Sequence, residues 1–370
     1  MRVLFVIHDL GNGGAEKVLV NLVNNMDKNH FDITVLSLFK GGINEQFLDK
    51  RIRYQTIFPK GFRGNIHLLK LFNPQRLHRL MIKEDYDIEI SYLEGPSARI
   101  VSGCQNKKTK LISWIHVEQH NMKKVSRAFR SEREAVKCYN TFDKIVCVSE
   151  YVKNDFCNVL NYMGDACVLY NTVDSKRIRE LSEESVPLFA DNNDVKLIAV
   201  GTLKKSKGYL RLLNVIERLL ADQFPIHLYI LGEGPQRKEI EEYIADHELT
   251  DNVSLLGYDT NPYKYVAKAD LFVCSSYAEG FSTAVTESLI VGTPVVTVDV
   301  SGMKELLGAN NEYGIVTDND EESLYEGIKK LLSSEDLLLH YAKMSKIRGE
   351  HFETMTTVKE VEKLLGTING

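Results

Sequence analysis

The sequence predicts an α/β protein made of two doubly wound, Rossmann-like domains with a cleft between them. Three observations carry this expectation. Each half of the chain alternates short β-branched runs with helical stretches, the pattern of parallel β-α-β units joined by right-handed crossovers. The chain has 370 residues, more than one hydrophobic core commonly serves. A polar, turn-prone tract separates the halves, carrying Ser182-Glu183-Glu184-Ser185-Val186-Pro187 and Asp191-Asn192-Asn193-Asp194.

In the first half, strands are expected over residues 3–7, 33–38, 88–92, 111–115 and 144–148, with a helix over 14–26. The second half repeats the scheme, with strands over 197–200, 226–231, 253–256, 271–274 and 295–298 and a helix over 209–220. The boundary falls near residue 170, giving domains 1–170 and 171–350.

Composition excludes several classes. Hydrophobic residues make up 44% and charged residues 26%, which rules out a disordered or fibrous chain. No uninterrupted apolar run approaches the roughly 18 to 20 residues of a membrane-spanning helix. The apolar start, Val3 to Ile7, leads into a glycine-rich loop instead of a small-residue cleavage site, so it reads as a core strand of a cytoplasmic protein. Cys104, Cys138, Cys147, Cys157, Cys167 and Cys274 form no C-x-x-C pair, and no histidine cluster stands at zinc spacing, so most of the cysteines read as small core residues in a reducing compartment. The net charge of -5 hides an asymmetry: residues 1–180 hold 28 Lys+Arg against 20 Asp+Glu, and the remainder 18 against 31. A basic half joined to an acidic half suggests different partners for each, or simply two solvated surfaces.

Ligands of open parallel sheets bind beyond the carboxyl ends of the strands, which sorts the candidate residues. The first strand ends in Gly11-Asn12-Gly13-Gly14-Ala15-Glu16, before a helix; glycines there let the backbone approach a phosphate at the helix N-terminus. A dinucleotide site would also want an acidic residue at the tip of the second strand, where Phe39-Lys40 stands, so a nicotinamide dehydrogenase is disfavoured. The first strand of the second half opens into Gly201-Thr202-Leu203-Lys204-Lys205-Ser206-Lys207-Gly208, whose lysines can neutralise a diphosphate. Leu231-Gly232-Glu233-Gly234-Pro235 is mainly a turn into a helix. Tyr277 to Leu289 holds Glu279 in a ligand-edge loop and Glu287 on a short helix ended by Gly292, with Val285 and Leu289 on its core face and Glu287 pointed elsewhere.

The Glu-x7-Glu spacing of Glu279 and Glu287, the Gly201–Gly208 loop, Asn171-Thr172-Val173-Asp174, Val148-Ser149-Glu150 and the opening Gly-Gly-Ala-Glu together resemble glycosyltransferase family 4, in the right order across nearly the whole chain. The resemblance implies the GT-B fold, transfer with retention, no cofactor beyond a nucleoside diphosphate sugar as co-substrate, and no metal. It implies that Glu287 binds the ribose hydroxyls and Lys207 the diphosphate. Glu279 would contact the transferred sugar, with backbone N–H groups near Phe281, Ser282 and Thr283 on sugar or phosphate. Gly201 belongs to the donor loop, Gly13 and Gly14 make room for the diphosphate, and His116 touches the donor sugar. Residues 351–370 are expected as a C-terminal helix packing back on the N-terminal domain.

One position departs from the family pattern: Thr202 stands where an arginine usually pairs with the lysine, so either Lys204 or Lys205 substitutes or the clamp is weaker. This keeps a non-catalytic sugar-nucleotide-binding protein open as an alternative. Asp85-Tyr86-Asp87 has the form of a metal-binding Asp-x-Asp but precedes a strand, on the edge away from ligands, and Asp318-Asn319-Asp320 is likewise turn-like. Between Gln119 and Cys138 lie Lys123, Lys124, Arg127, Arg130, Arg133 and Lys137, interleaved with Met122, Val125, Phe129 and Val136. As one amphipathic helix this stretch would touch an anionic membrane or a lipid-diphosphate acceptor, and otherwise it is an ordinary basic surface. The expected function is transfer of a hexose or N-acetylhexosamine, with UDP as the leading donor nucleotide. The acceptor would be a hydroxyl of a glycan or lipid-linked glycan in bacterial surface polysaccharide synthesis, reached from the cytoplasm or the inner membrane face.

Overall fold

The structure, a computed structural model, describes residues 1–11, 13–60, 69–186 and 194–369. Asn12 of the first loop and residues 187–193 of the polar tract lie outside them. The chain divides into two compact units, Met1–Val173 with Thr354–Gly370, and Asp174–Glu353.

The first unit carries a seven-stranded parallel sheet: β1 (Arg2–Ile7), β2 (Asp32–Phe39), β3 (Arg53–Phe58), β4 (Ile88–Ser91), β5 (Lys110–Ile115), β6 (Lys144–Cys147) and β7 (Ala166–Val168), in the order β3-β2-β1-β4-β5-β6-β7. The strand order reverses direction between β1 and β4, which opens the crevice where doubly wound sheets take ligands. Val3 to Ile7 are all fully buried, because a central parallel strand is covered on both faces. Helix Gly14–Asn25 closes the first crossover by burying Val18, Leu19, Leu22 and Val23 at helical spacing. Helix Thr354–Asn369 groups with this unit, and its Glu362 carboxylate accepts from the Asp27 N–H at 2.6 Å.

The second unit repeats the winding with six strands: β8 (Val195–Val200), β9 (Ile226–Leu231), β10 (Val253–Gly257), β11 (Leu271–Cys274), β12 (Val295–Val298) and β13 (Ile315–Thr317), in the order β10-β9-β8-β11-β12-β13. Its reversal lies between β8 and β11. The two loops with the densest candidate chemistry, Gly201–Gly208 and Tyr277–Ser282, follow these two strands.

Two expectations are corrected. The basic stretch is not one helix. It breaks into helix Met122–Val125, a 3₁₀ turn Ser126–Ala128 and helix Glu132–Tyr139. Asn121 and Ser131 each cap a new helix start with their side chains, accepting from the N–H of Lys124 and Glu134. Val125, Ala128 and Phe129 are buried while all six basic side chains are exposed, so no apolar stripe remains for a bilayer. The second correction concerns helix Thr283–Val291, whose residues from Val285 to Ile290 are all buried, Glu287 among them. Glu287 is therefore enclosed and not directed away from the packed face. Among the described residues, no helix is long and apolar enough to cross a membrane.

Candidate functional site

At the switch point of the second unit, β8 ends at Val200 and the chain turns through Gly201 into a short 3₁₀ turn, Lys205–Lys207, closed by Gly208. Gly208 has φ +68°, and a Cβ there would stand 2.1 Å from the Ser275 carbonyl oxygen, so only glycine fits. This close approach presses the lysine loop against the loop after β11. Further ties are the Ser275 hydroxyl donating to the Lys207 carbonyl at 3.0 Å and the Tyr277 N–H donating to the Ser206 carbonyl at 2.8 Å.

The result is an ion pair between the two loops. Lys207 Nζ donates to Glu279 Oε1 at 2.6 Å, and the Ser276 hydroxyl donates to the same oxygen at 2.6 Å. Both partners are largely enclosed, with 20% and 11% of their side chains exposed. Burial works against the Lys207 charge, yet the adjacent Glu279 carboxylate holds the ammonium above the ordinary lysine range. Gly201, at φ +155°, makes the turn out of β8, and the Lys207 side chain passes in ordinary van der Waals contact with the position a Cβ would take. Lys207, Ser276, Glu279 and Ser282 line one water-sized cavity of about 10 Å³.

Ser282 caps helix Thr283–Val291, its hydroxyl accepting from the Val285 N–H at 3.4 Å. The first-turn N–H groups near Thr283 fall outside the helix's own hydrogen-bond ladder, where a developing anion would find donors. The Phe281 ring is buried against Phe352, so this residue offers only its backbone. Glu287 stands apart from the Lys207 cavity; the Tyr263 hydroxyl donates to its Oε1 at 3.4 Å. Lys204, Lys205 and Thr202 are exposed on the same loop as Lys207.

Arg211 is the residue the sequence reading misses. It is 5% exposed, donates to the Ser275 and Ser276 carbonyls, and lies over the Tyr277 ring at 4.2 Å. Its guanidinium thus braces the loop that carries Glu279 from behind. The available signal was an arginine four residues before Val215, on the buried face of helix Tyr209–Ala221.

In the first unit, Gly13 is the N-cap of helix Gly14–Asn25, with the Glu16 carboxylate beside it. His116 follows β5 and is 7% exposed, its ring 4.9 Å from that of Tyr92. Burial pushes its imidazole down to about 3, while a hydrogen bond to the Tyr92 backbone works the other way. Its Nε2 is buried with no partner among the described residues. The Glu94 carboxylate, pushed up by burial, accepts from the His116 N–H at 3.2 Å. Asp155 ties down the following turn by accepting from the N–H groups of Gln119 and His120. Asp85 and Asp87 are engaged elsewhere: Asp87 accepts from the Arg2 N–H at 2.7 Å, before β4. Asp320 caps helix Glu321–Leu332.

Two glycosyltransferase family models together cover most of the chain and place it in a transferase class. Residues 12–177 match the family model described as Glycosyltransferase Family 4, and residues 182–348 the one described as Glycosyl transferases group 1. The chain belongs to glycosyltransferase family 4. It is 28% identical, over 97% of its length and 98% of the relative's, to a Campylobacter jejuni protein named N-acetylgalactosamine-N,N'-diacetylbacillosaminyl-diphospho-undecaprenol 4-alpha-N-acetylgalactosaminyltransferase. A second C. jejuni transferase, named for alpha-1,4-N-acetyl-D-galactosaminyl transfer to a GalNAc-alpha-(1->4)-GalNAc-alpha-(1->3)-diNAcBac-PP-undecaprenol, is 24% identical over 100% of this chain and 99% of its own. Among solved structures, Anabaena HepE in complex with UDP superposes with a TM-score of 0.79 over 99% of this chain and 100% of that one, at 18% identity, which establishes the shared GT-B fold.

Proposed function

We propose that this glycosyltransferase moves a hexose or N-acetylhexosamine from a UDP-sugar to a hydroxyl of a lipid-linked glycan, with retention at the anomeric carbon and without a metal. The observation that carries the reading is the Lys207–Glu279 pair at 2.6 Å beyond β8 and β11, with Glu287 on the helix Thr283–Val291 that follows. An ammonium held charged in an enclosed loop is suited to a diphosphate, and it stabilises the same group better as charge builds on it during departure. Glu279, released to the sugar, would meet the oxocarbenium-like centre of a glycosyl transfer. Glu287 would take the ribose, and N–H groups near Phe281, Ser282 and Thr283 the phosphate or sugar oxygens. Gly13 and Gly14 would face the diphosphate. His116, neutral and with an unused lone pair on Nε2, would accept a hydrogen bond from a sugar hydroxyl. The leaving phosphate itself would help deprotonate the acceptor.

Support for the acceptor class comes from the printed names of the two Campylobacter relatives, both lipid diphosphate-linked, and support for UDP from the HepE complex. The proposed working place is the cytoplasmic membrane face, held there by the exposed basic side chains between Lys123 and Lys137. The test is nucleotide release. UDP-, GDP- and ADP-sugars are offered with an undecaprenyl-diphosphate-linked glycan in the presence of EDTA, and the product's anomeric configuration is read by NMR. UDP release with the donor's configuration retained is expected. Tight UDP binding without release from any donor would favour the non-catalytic binding protein, and inversion would overturn the proposed stereochemistry.

A further inference from the structure

We propose that His78, Glu89 and Cys104 form a zinc-binding site in the first unit, apart from the residues assigned to transfer. The three come from separate segments: helix Pro74–Met81, the second residue of β4, and the turn after helix Pro96–Val101. Glu89 lies near the start of β4, whereas the loops proposed to meet substrate follow its other end. Their spacing in sequence matches no zinc motif; the sheet brings them together.

Three observations converge. His78 Nε2 is 2.8 Å from Glu89 Oε2, and one ligand atom from each of the three residues lies within 4.8 Å of the other two. Glu89 is 2% exposed on a strand whose neighbours Ile88 and Ile90 are fully buried. An ionised carboxylate in that position must be matched by positive charge, and a bound dication would supply it more fully than one imidazole. The donor set is itself selective. Thiolate, imidazole and carboxylate are the groups zinc takes, at about 2.3, 2.0 and 2.1 Å, whereas magnesium and calcium demand oxygen throughout. Thiolate plus carboxylate offsets the two positive charges of the ion.

Tetrahedral zinc sets its ligand atoms roughly 3.5 Å apart, so the His78–Glu89 pair at 2.8 Å must open slightly to admit the ion while the Cys104 side chain turns toward it. His78 and Cys104 are part-exposed, which leaves the fourth position to water and makes the ion exchangeable. Bound zinc would clip helix Pro74–Met81 and the turn after helix Pro96–Val101 to β4.

The experiment uses the full chain. Zinc is titrated against a chromogenic chelator, and cobalt is substituted as an optical reporter of ligand type. One equivalent is expected, together with a thiolate-to-cobalt charge-transfer band and a Tm raised by several degrees in zinc. Cys104→Ser keeps the His78–Glu89 pair and therefore the fold; in this variant the charge-transfer band should vanish and zinc affinity should fall at least tenfold. Absence of stoichiometric binding would overturn the proposal, as would a cobalt spectrum lacking the thiolate band or a Cys104→Ser variant that binds like the parent. In each of those cases the cluster is an ion pair with a thiol beside it. Because every readout is independent of transfer activity, the outcome does not depend on the function proposed above.

Discussion

The two units share one winding but treat charge in opposite ways at their switch points. Beyond β8 and β11 the second unit holds an enclosed ion pair, Lys207 with Glu279, tightened by Ser276 and braced by Arg211. Beyond β5 the first unit holds a neutral imidazole, His116, with a buried nitrogen that no described residue satisfies. Charge kept in a part-buried site is maintained only by a partner, and in the function proposed above Glu279 yields that place to the donor's diphosphate. In the same proposal the bare nitrogen of the neutral ring in the first unit meets a sugar hydroxyl. The proposed function thus assigns one sheet edge to a diphosphate and the other to an uncharged group.

The sharpest way to break this contrast is to remove the cation. Lys207→Ala strands the Glu279 carboxylate and takes away the proposed support of the leaving group, so kcat should fall by on the order of 10²- to 10³-fold. The single-turnover rate of nucleotide release measures this. A variant that turns over within a few-fold of the parent would show that the enclosed pair is only structural.

The glutamates come next. Glu287→Ala should weaken UDP by about 1.5 to 3 kcal/mol, the range for hydrogen bonds to a charged group, with KM rising alongside. Glu279→Gln should act in the other direction on binding. It frees Lys207 for the diphosphate, so UDP should bind as tightly as in the parent or up to about tenfold more tightly, while kcat falls. Calorimetric titration of UDP separates the two; weaker UDP binding in Glu279→Gln would mean that the glutamate positions the lysine for the nucleotide instead of competing for it.

What the sequence reveals follows burial. The central strands read clearly because both faces are covered and the runs are continuously apolar, as in β1, β9 and β12. The strands absent from the reading, β3, β7 and β13, all sit at sheet edges, and each has part-exposed positions that dilute the apolar signal. The Glu-x7-Glu spacing and the glycine-rich loop mark Lys207, Glu279 and Glu287 as candidates. The ion pair itself is invisible in the sequence, because it depends on Gly208 lying against the Ser275 carbonyl. Arg211 is hidden for a different reason: its place on a buried helix face shows in the sequence, but the backbone carbonyls it braces leave no residue signature. The broken basic helix shows the cost of reading periodicity without caps, since Asn121 and Ser131 are both helix-starting residues.

A smaller effect sharpens the account of the second unit. Lys204 and Lys205 flank Lys207 on the exposed side of the loop, where arginine is missing at Thr202. If either lysine supplies the second cation, Lys204→Ala/Lys205→Ala should raise the donor Kd about tenfold, roughly 1.4 kcal/mol. High salt should diminish the difference, because exposed charges are screened within about 10 Å at 0.1 M. An unchanged Kd would leave Lys207 as the sole side-chain cation at the diphosphate.

The smallest expected effect tests the first unit. With its imidazole pushed down to about 3, His116 stays neutral across the working range, so its proposed part in turnover is a hydrogen bond and no proton transfer. The pH profiles of kcat/KM for the parent and for His116→Asn should therefore run parallel between about pH 5 and 8, displaced by a constant factor. Stability supplies a second reading of the same group. In the unfolded chain the imidazole binds a proton below about 6.5, while the folded one does not until pH approaches 3, so stability is lost as pH falls through this window, by about 1.4 kcal/mol per unit. His116→Asn should remove that component, and urea denaturation at pH 7 and pH 4.5 should show the variant losing less on acidification than the parent. A limb near pH 6.5 in the parent profile that disappears in the variant would mean that His116 titrates during turnover. The neutral hydrogen-bonding edge of the first unit would then give way to one that carries charge, and the contrast between the two sheet edges would fail.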